Sequence, residues 1–441
     1  MWTSYVKKYV EKTPGSKRLY ERAARLIPGG ISHNIRFYPP YPLYTVKAKG
    51  SRLWDVDGNV YTDYWMAHMV LILGHSPEPV LEFVRNQVEN GTHLGTVNPY
   101  AVELAEAIIR NVPCAEMVRI GCSGTEATMY AVRLARAYTG RRVVVKAEGG
   151  WHGGNPILHK AVSPPYGKPE SLGILEEEQK YTRVMPVNDI EGTEEVLKEC
   201  RRDLACVIVE PVLGGGCIPL DRDYLVYLRE VCDEYGAVLI FDEVITGFRL
   251  GLSGGQGFYR VTPDMATFGK IIGGGFPIGA VAGRADLLKL ADPTSGKPKW
   301  ERCWTGGGTF SGNPISTGAG LATIRFLEKH ADEVYGKINK LGEMARTGID
   351  KALEGLKGLK AKTTGVGSLL LTHFLKEGED VRSSRDRLKT DQETQVNFYL
   401  ALMNYGIFFL PGHTGSISYA HSEEDIKMLI EAVEKIAEDT S

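Results

Sequence analysis

Two side chains of this chain have the type and setting for carbonyl chemistry. Lys270 lies in Thr267-Phe268-Gly269-Lys270-Ile271-Ile272-Gly273-Gly274-Gly275, a lone cation among apolar residues and glycines. Asp242 ends the apolar run Ala237-Val238-Leu239-Ile240-Phe241. A lysine is seldom buried without a task. Desolvation lowers its pKa and frees the amine for a Schiff base with an aldehyde cofactor. Pyridoxal phosphate acts as an electron sink only while its ring nitrogen stays protonated, which calls for a carboxylate against that nitrogen and a lysine at the aldehyde. Asp242 and Lys270 are the candidates for these two tasks. The plainer accounts are a charge at a strand end and a solvated lysine before a glycine turn. Against them stands the habit of ligands to gather at the carboxyl ends of α/β strands.

The cofactor's phosphate needs a cradle. Gly121-Cys122-Ser123-Gly124-Thr125-Glu126-Ala127 follows the short strand pattern Met117-Val118-Arg119-Ile120 and opens a helical pattern. Backbone N–H groups at a helix start attract an anion, and the hydroxyls of Ser123 and Thr125 add donors. An ordinary N-cap reads the same way, so the loop alone is weak. A dinucleotide site is the competing reading, but Ser123 stands where the second glycine of GxGxxG would let a pyrophosphate approach. In Glu148-Gly149-Gly150-Trp151-His152-Gly153-Gly154 the indole of Trp151 is placed to stack on a pyridine ring, and Val244 to press on its other face. Core packing explains both equally well.

These residues need a scaffold. At 441 residues the chain exceeds the size at which one core keeps growing, so two domains are expected. Short apolar runs at 142–145, 205–210, 237–242 and 280–282 alternate with helical patterns, which predicts α/β architecture with strands buried on both faces of a mostly parallel sheet. The expected division is 1–70 and 326–441 in one smaller α+β domain formed by both termini, and 71–325 in the large domain. The Asp-Gly and Gly-Asn dipeptides inside 53–61 predict a hairpin. The irregular stretch 161–182 is either an active-site lid or an inert surface loop.

Lysine and arginine total 52 against 54 acids, a net charge of −2, which gives no electrostatic case for nucleic acid or membrane surfaces and leaves small molecules as partners. Seven scattered cysteines without CxxC spacing fit a reducing compartment, and no apolar segment has the length of a signal or a membrane span. A cytoplasmic protein with buried cysteines and no metal is expected.

The runs CSGTEA, WHGG, EPV, FDEVITGFR, FGKIIGGGFPIGA and GGGTFSGNP occur in the order found in class III aminotransferases that use pyridoxal phosphate. The chain resembles most the branch containing glutamate-1-semialdehyde 2,1-aminomutase, over nearly its whole length. The resemblance implies a fold type I homodimer with active sites shared between subunits. It implies that Lys270 holds the cofactor and moves protons, and that Asp242 pairs with the ring nitrogen. By the same resemblance Ser123, Gly124 and Thr125 hold the phosphate, Thr309 reaches the phosphate of the neighbouring subunit's cofactor, and Trp151 stacks on the ring. His152 and Glu210 match positions that line the site. Ser32 and Arg36 match the region that binds the substrate carboxylate, a task that suits a bidentate arginine.

Three departures bear on the substrate. Aminomutases usually carry an asparagine shortly after EPV, whereas here Glu210-Pro211-Val212 leads to Leu213-Gly214-Gly215-Gly216. The segment Leu410-Pro411-Gly412-His413-Thr414-Gly415-Ser416 lacks the usual glutamate, and His68 stands where tryptophan is common. That segment is also shorter than in aminomutases, and its short length and His68 resemble aminotransferases for D-phenylglycine and β-phenylalanine. Intermolecular amino transfer is therefore expected. Intramolecular transfer giving 5-aminolevulinate is the alternative, and a non-catalytic cofactor- or nucleotide-binding protein is the alternative of another class.

Overall fold

Seven short strands form the central sheet of the larger of two units into which the chain divides. The computed structural model describes residues 2–354, 356, 360–376, 378 and 380–440. The larger unit comprises Glu78–Tyr335 with Arg382–Ser384, and the other comprises Met1–Pro77, Gly336–Val381 and Arg385–Ser441.

In the larger unit the strands are β1 Met117–Gly121, β2 Val143–Ala147, β3 Thr182–Met185, β4 Leu204–Val209, β5 Val238–Asp242, β6 Met265–Gly269 and β7 Gly279–Gly283. Their order across the sheet is β1-β7-β6-β5-β4-β2-β3. All neighbours are parallel except β7, which runs antiparallel to both β6 and β1. Strands β2, β4, β5, β6 and β7 are buried along their whole length, as expected of a sheet covered on both faces. Helices α1 Gly124–Thr139 and α2 Arg222–Tyr235 each lay apolar faces on the sheet and end at a left-handed glycine, Gly140 and Gly236. β6 carries Lys270 directly after its last residue but reads in sequence as part of the lysine loop, because Met265-Ala266-Thr267-Phe268-Gly269 offers too few β-branched residues to mark a strand. The stretch 161–182 contains one short helix, Glu176–Gln179, and its last residue begins β3.

In the second unit the strands Arg52–Asp55 and Val60–Asp63 form the antiparallel hairpin that the sequence predicts, with Leu53 opposite Tyr61. Ile407–Phe408 adds to this sheet parallel to Val60–Asp63, so residues from the two ends of the chain share one sheet. A core of Tyr9, Tyr38, Tyr41, Leu53, Tyr61, Leu400, Met403 and Phe408 lies on it.

Directly after this hairpin the backbone turns the wrong way for L-residues. Met66, Ala67, His68 and Met69 have φ of 46°, 51°, 69° and 62°. The ψ values of Ala67 and His68 are 51° and 41°, so the turn is left-handed helix without glycine. Each such residue costs roughly 1–2 kcal/mol, and the turn persists because Met66 and Met69 are buried while Ala67 points outward. Ala67→Gly therefore removes strain at an exposed site. It should raise the thermal midpoint by roughly 1 °C, and a lowered midpoint in a melting curve would contradict the left-handed assignment.

Candidate active site

The site is assembled on the carboxyl end of β5. Asp242, 3% exposed, is the last residue of that strand and pairs in register with Thr267 on β6. Its Oδ1 accepts hydrogen bonds from Thr267 Oγ1 at 3.0 Å and from the Val244 amide at 3.1 Å. Its Oδ2 lies 2.8 Å from His152 Nδ1. With three donors around it the carboxylate is fixed in plane, and Oδ2 retains a lone pair for one further donor.

His152 is wholly buried, and burial pushes its pKa down despite Asp242, so the ring is neutral. In that form Nδ1 carries the proton given to Asp242, and Nε2 is an acceptor that finds no partner among the described residues. The His152 carbonyl accepts from Thr128 Oγ1 at 2.6 Å, which ties the loop to α1. The neighbouring Trp151 is 43% exposed, and its indole meets His159 edge-on at 5.3 Å. Its amide donates to Glu210 Oε1 at 2.8 Å.

Glu210 is also buried and accepts a second backbone bond from Gly214 at 3.0 Å. Burial, and then the charge of Asp242, raise its pKa. Lys270 shows the opposite response. Desolvation pushes its pKa down to about 8, while Asp242 and Glu210 pull it back up. Lys270 itself sits at φ 49°, in the left-handed region, immediately after β6. Strain of this kind in a residue flanked by buried neighbours is a mark of a functional position.

The phosphate candidates lie alongside. Ser123 caps α1, its Oγ accepting from the Glu126 amide at 3.2 Å. Contacts run from this loop to the rest of the cluster. A Cβ on Gly124 would touch Val244, one on Gly269 would touch both Val244 and the Gly124 amide, and one on Gly153 would overlap Thr125. Gly279 on β7 lies so close to Ser123 that a Cβ there would overlap the Ser123 carbonyl oxygen. The larger unit thus brings Ser123, Gly124, Thr125, Trp151, His152, Glu210, Asp242, Val244 and Lys270 into one cluster. Thr309 is exposed in a turn whose neighbours Gly308 and Ser311 lie against Cys122. Cys122 is half-buried, whereas the other six cysteines are buried.

Ser32, Arg36 and His68 belong to the other unit. Arg36 Nη1 donates to Ser32 Oγ at 3.3 Å, and both are exposed. The His68 ring lies 4.6 Å from that of Trp65 and 6.0 Å from that of His33.

Three participants escaped the sequence reading. Thr267 and Thr128 look like ordinary strand and helix residues until the sheet register and the loop path are known. Lys146, wholly buried within β2, donates to the carbonyls of Gly150 at 2.9 Å and Lys160 at 2.7 Å and so holds the Trp151 loop. Its signal in sequence was a lone cation between Val143-Val144-Val145 and Ala147.

The arrangement fits pyridoxal phosphate. It offers a fixed carboxylate with a free lone pair, an amine of lowered pKa, an accessible indole, and a helix start with hydroxyls and glycines where an anion is favoured. No group of three or more histidine, cysteine, aspartate or glutamate side chains among the described residues is placed to hold a metal.

Comparison with known proteins agrees with this chemistry. The class-III aminotransferase model matches residues 36–436. The glutamate-1-semialdehyde 2,1-aminomutase of Methanothrix thermoacetophila is 44% identical over 424 residues, covering 95% of each chain. Among solved structures, an omega-transaminase from Sphaerobacter thermophilus shares 33% identity at a TM-score of 0.88, covering 98% of this chain and 99% of its own. A β-phenylalanine aminotransferase from Variovorax paradoxus shares 31% at 0.89, covering 99% and 97%. A sheet with one antiparallel strand, a lysine after its sixth strand and an aspartate ending its fifth are thus found in a chain that belongs to the class-III aminotransferases, enzymes of fold type I that work with pyridoxal phosphate.

Proposed function

We propose that this enzyme moves an amino group between two different molecules, as an intermolecular aminotransferase acting on an amino acid and a keto acid. The observation that carries this reading is the surroundings of Glu210. Both its oxygens are taken by backbone amides, and the chain then runs through Gly214, Gly215 and Gly216, which offer no side-chain donor. A Cβ at Gly214 would come closest to the movable end of the Ile245 side chain, so the missing donor is set by the residue types of this run. An enzyme that must retain its intermediate gains from added side-chain contacts there. One that must release a keto product and admit an acceptor does not need them.

In this reading each residue of the site has a stated task. Ser123, Gly124 and Thr125 bind the phosphate at the start of α1, and Trp151 and Val244 hold the ring between them. Asp242 keeps the positive charge on the ring nitrogen, steadied by His152 and Thr267. Pyridoxal phosphate, when bound, supplies an electron sink beside the amino group. Lys270 holds the cofactor and carries the proton to and from the substrate carbon that bears the amino group, a task for which a pKa near the working pH is suited. Ser32, Arg36 and His68 contact the substrate, with Arg36 on its carboxylate. The working form is a cytoplasmic homodimer in which Thr309 reaches the partner subunit's cofactor. A second reading, intramolecular transfer giving 5-aminolevulinate, is favoured by the name of the 44% identical relative.

Four outcomes test this reading. The purified, cofactor-loaded enzyme given glutamate 1-semialdehyde with no amino donor or keto acid should not sustain 5-aminolevulinate formation by mass spectrometry. It should transfer the amino group of β-phenylalanine or D-phenylglycine to a keto acid, and many turnovers in the first assay would establish the second reading. Asp242→Asn should keep the cofactor but lose about a thousandfold or more in kcat, and a loss under tenfold would remove Asp242 from its task. In cofactor-free protein, acylation of Lys270 should rise as pH passes about 8, because only the neutral amine reacts. Exposed lysines should respond near about 10.4, and a Lys270 midpoint equal to theirs in peptide mass spectrometry would refute the lowered pKa.

A further inference from the structure

The left-handed turn Met66–Met69 is held by a carboxylate that takes no part in the cluster around Lys270. Asp63 is 1% exposed and ends the strand Val60–Asp63. Its Oδ1 accepts from the Trp65 amide at 2.8 Å and from the Met66 amide at 3.1 Å, the two amides that lead into the turn. Its Oδ2 lies 2.6 Å from His75 Nε2. His75 is itself pinned by backbone, donating to and accepting from Gly50 at 2.8 and 2.9 Å. The amides at the start of a helical turn have no partner within it, and hydrogen bonds to a carboxylate are roughly twice as strong as neutral ones. Asp63 therefore stabilises the entry to a conformation that the residues themselves disfavour. Buried Met66 and Met69 fix its two ends, and the result is the position of His68 beside Trp65 and His33.

We propose that Asp63, braced by His75, is a positioning residue for substrate recognition: it holds Met66–Met69 left-handed and thereby sets how His68 is presented to the substrate. This rests on the reading of His68 as a substrate contact. Returned to the right-handed form that L-residues prefer, the same four residues would carry the imidazole away from Trp65.

The test uses the holoenzyme with whichever of two mixtures it turns over, glutamate 1-semialdehyde alone or β-phenylalanine with 2-oxoglutarate. Asp63→Ala should raise KM about tenfold while kcat stays within about twofold. It should also speed hydrogen exchange at the Met69 and Val70 amides, which bond to the carbonyls of Trp65 and Met66. Adding Ala67→Gly, which makes the left-handed form inexpensive at an exposed residue, should bring KM back to within about threefold and slow the exchange again. Should Asp63→Ala fail to fold, Asp63→Asn, which keeps one acceptor oxygen, should show the same pattern at about threefold in KM. Loss of kcat and of bound cofactor with KM unchanged, or no recovery with Ala67→Gly, would overturn the inference and leave Asp63 a purely structural residue. His68→Ala separates the two claims. A raised KM supports the contact, whereas an unchanged KM removes His68 from the substrate and with it the recognition role of Asp63, whatever the exchange data show for the turn.

Discussion

The structure of the larger unit depends on keeping one carboxylate charged at the end of a buried strand. An ionised aspartate removed from water is costly unless donors surround it, and Asp242 meets this with Thr267, the Val244 amide and His152. Each donor constrains an element. Thr267 requires β6 to lie parallel beside β5 in that register. The Val244 amide sets the turn that leaves β5, and His152 requires the loop after β2 to reach across. That loop is in turn tied down by Thr128 on α1, by Lys146 from below and by Glu210 through Trp151. The same bonds that satisfy a buried charge thus bring an imidazole, an indole and a second carboxylate to one place.

The next residue illustrates how a strand separates tasks. Glu243 is as buried as Asp242, but along a strand successive side chains point to opposite faces. It accepts from Thr246 Oγ1 and Gln256 Nε2, both at 2.9 Å, and from the Gln256 amide at 3.2 Å. Burial raises its pKa against those donors. One acid thus fastens the chain beyond β5, while its neighbour keeps a lone pair available to a ligand. Their adjacency in Phe241-Asp242-Glu243-Val244 conceals this division.

Close approach is the other constraint. The start of α1 and the Ser123 before it approach Val244, the loop bearing His152 and β7 only because Gly124, Gly153 and Gly279 have no Cβ. Gly279 matters most, since it stands on β7, the strand that runs against its neighbours and lies between β6 and β1. Elsewhere strain takes the place of glycine. Lys270 and the four residues Met66–Met69 adopt positive φ while keeping side chains, which is tolerable where buried anchors and a carboxylate hold the backbone.

Much of this was open to a reader of the sequence because it rests on local signals. Apolar runs with β-branched residues mark β2, β4 and β5, the Asp-Gly and Gly-Asn dipeptides mark the hairpin before Asp63, and a lysine among glycines beyond an acid at a strand end announces aldehyde chemistry. β6 was not visible in this way, since its residues are small and its identity as a strand comes from the neighbours it pairs with. Nor were Thr267, Thr128 and Lys146, whose tasks arise from register and loop path, quantities that depend on contacts between distant parts of the chain. The left-handed hand of Met66–Met69 is the clearest case. Nothing in Met-Ala-His-Met favours it, and only the burial of two methionines and the bonds to Asp63 outweigh the local preference of L-residues for the opposite turn. Sequence alone determined which chemistry the chain can perform, because that lies in residue types. The tertiary structure decided which groups stand beside the reacting ones and in what conformation, because that is set by the sum of many contacts that no short segment contains.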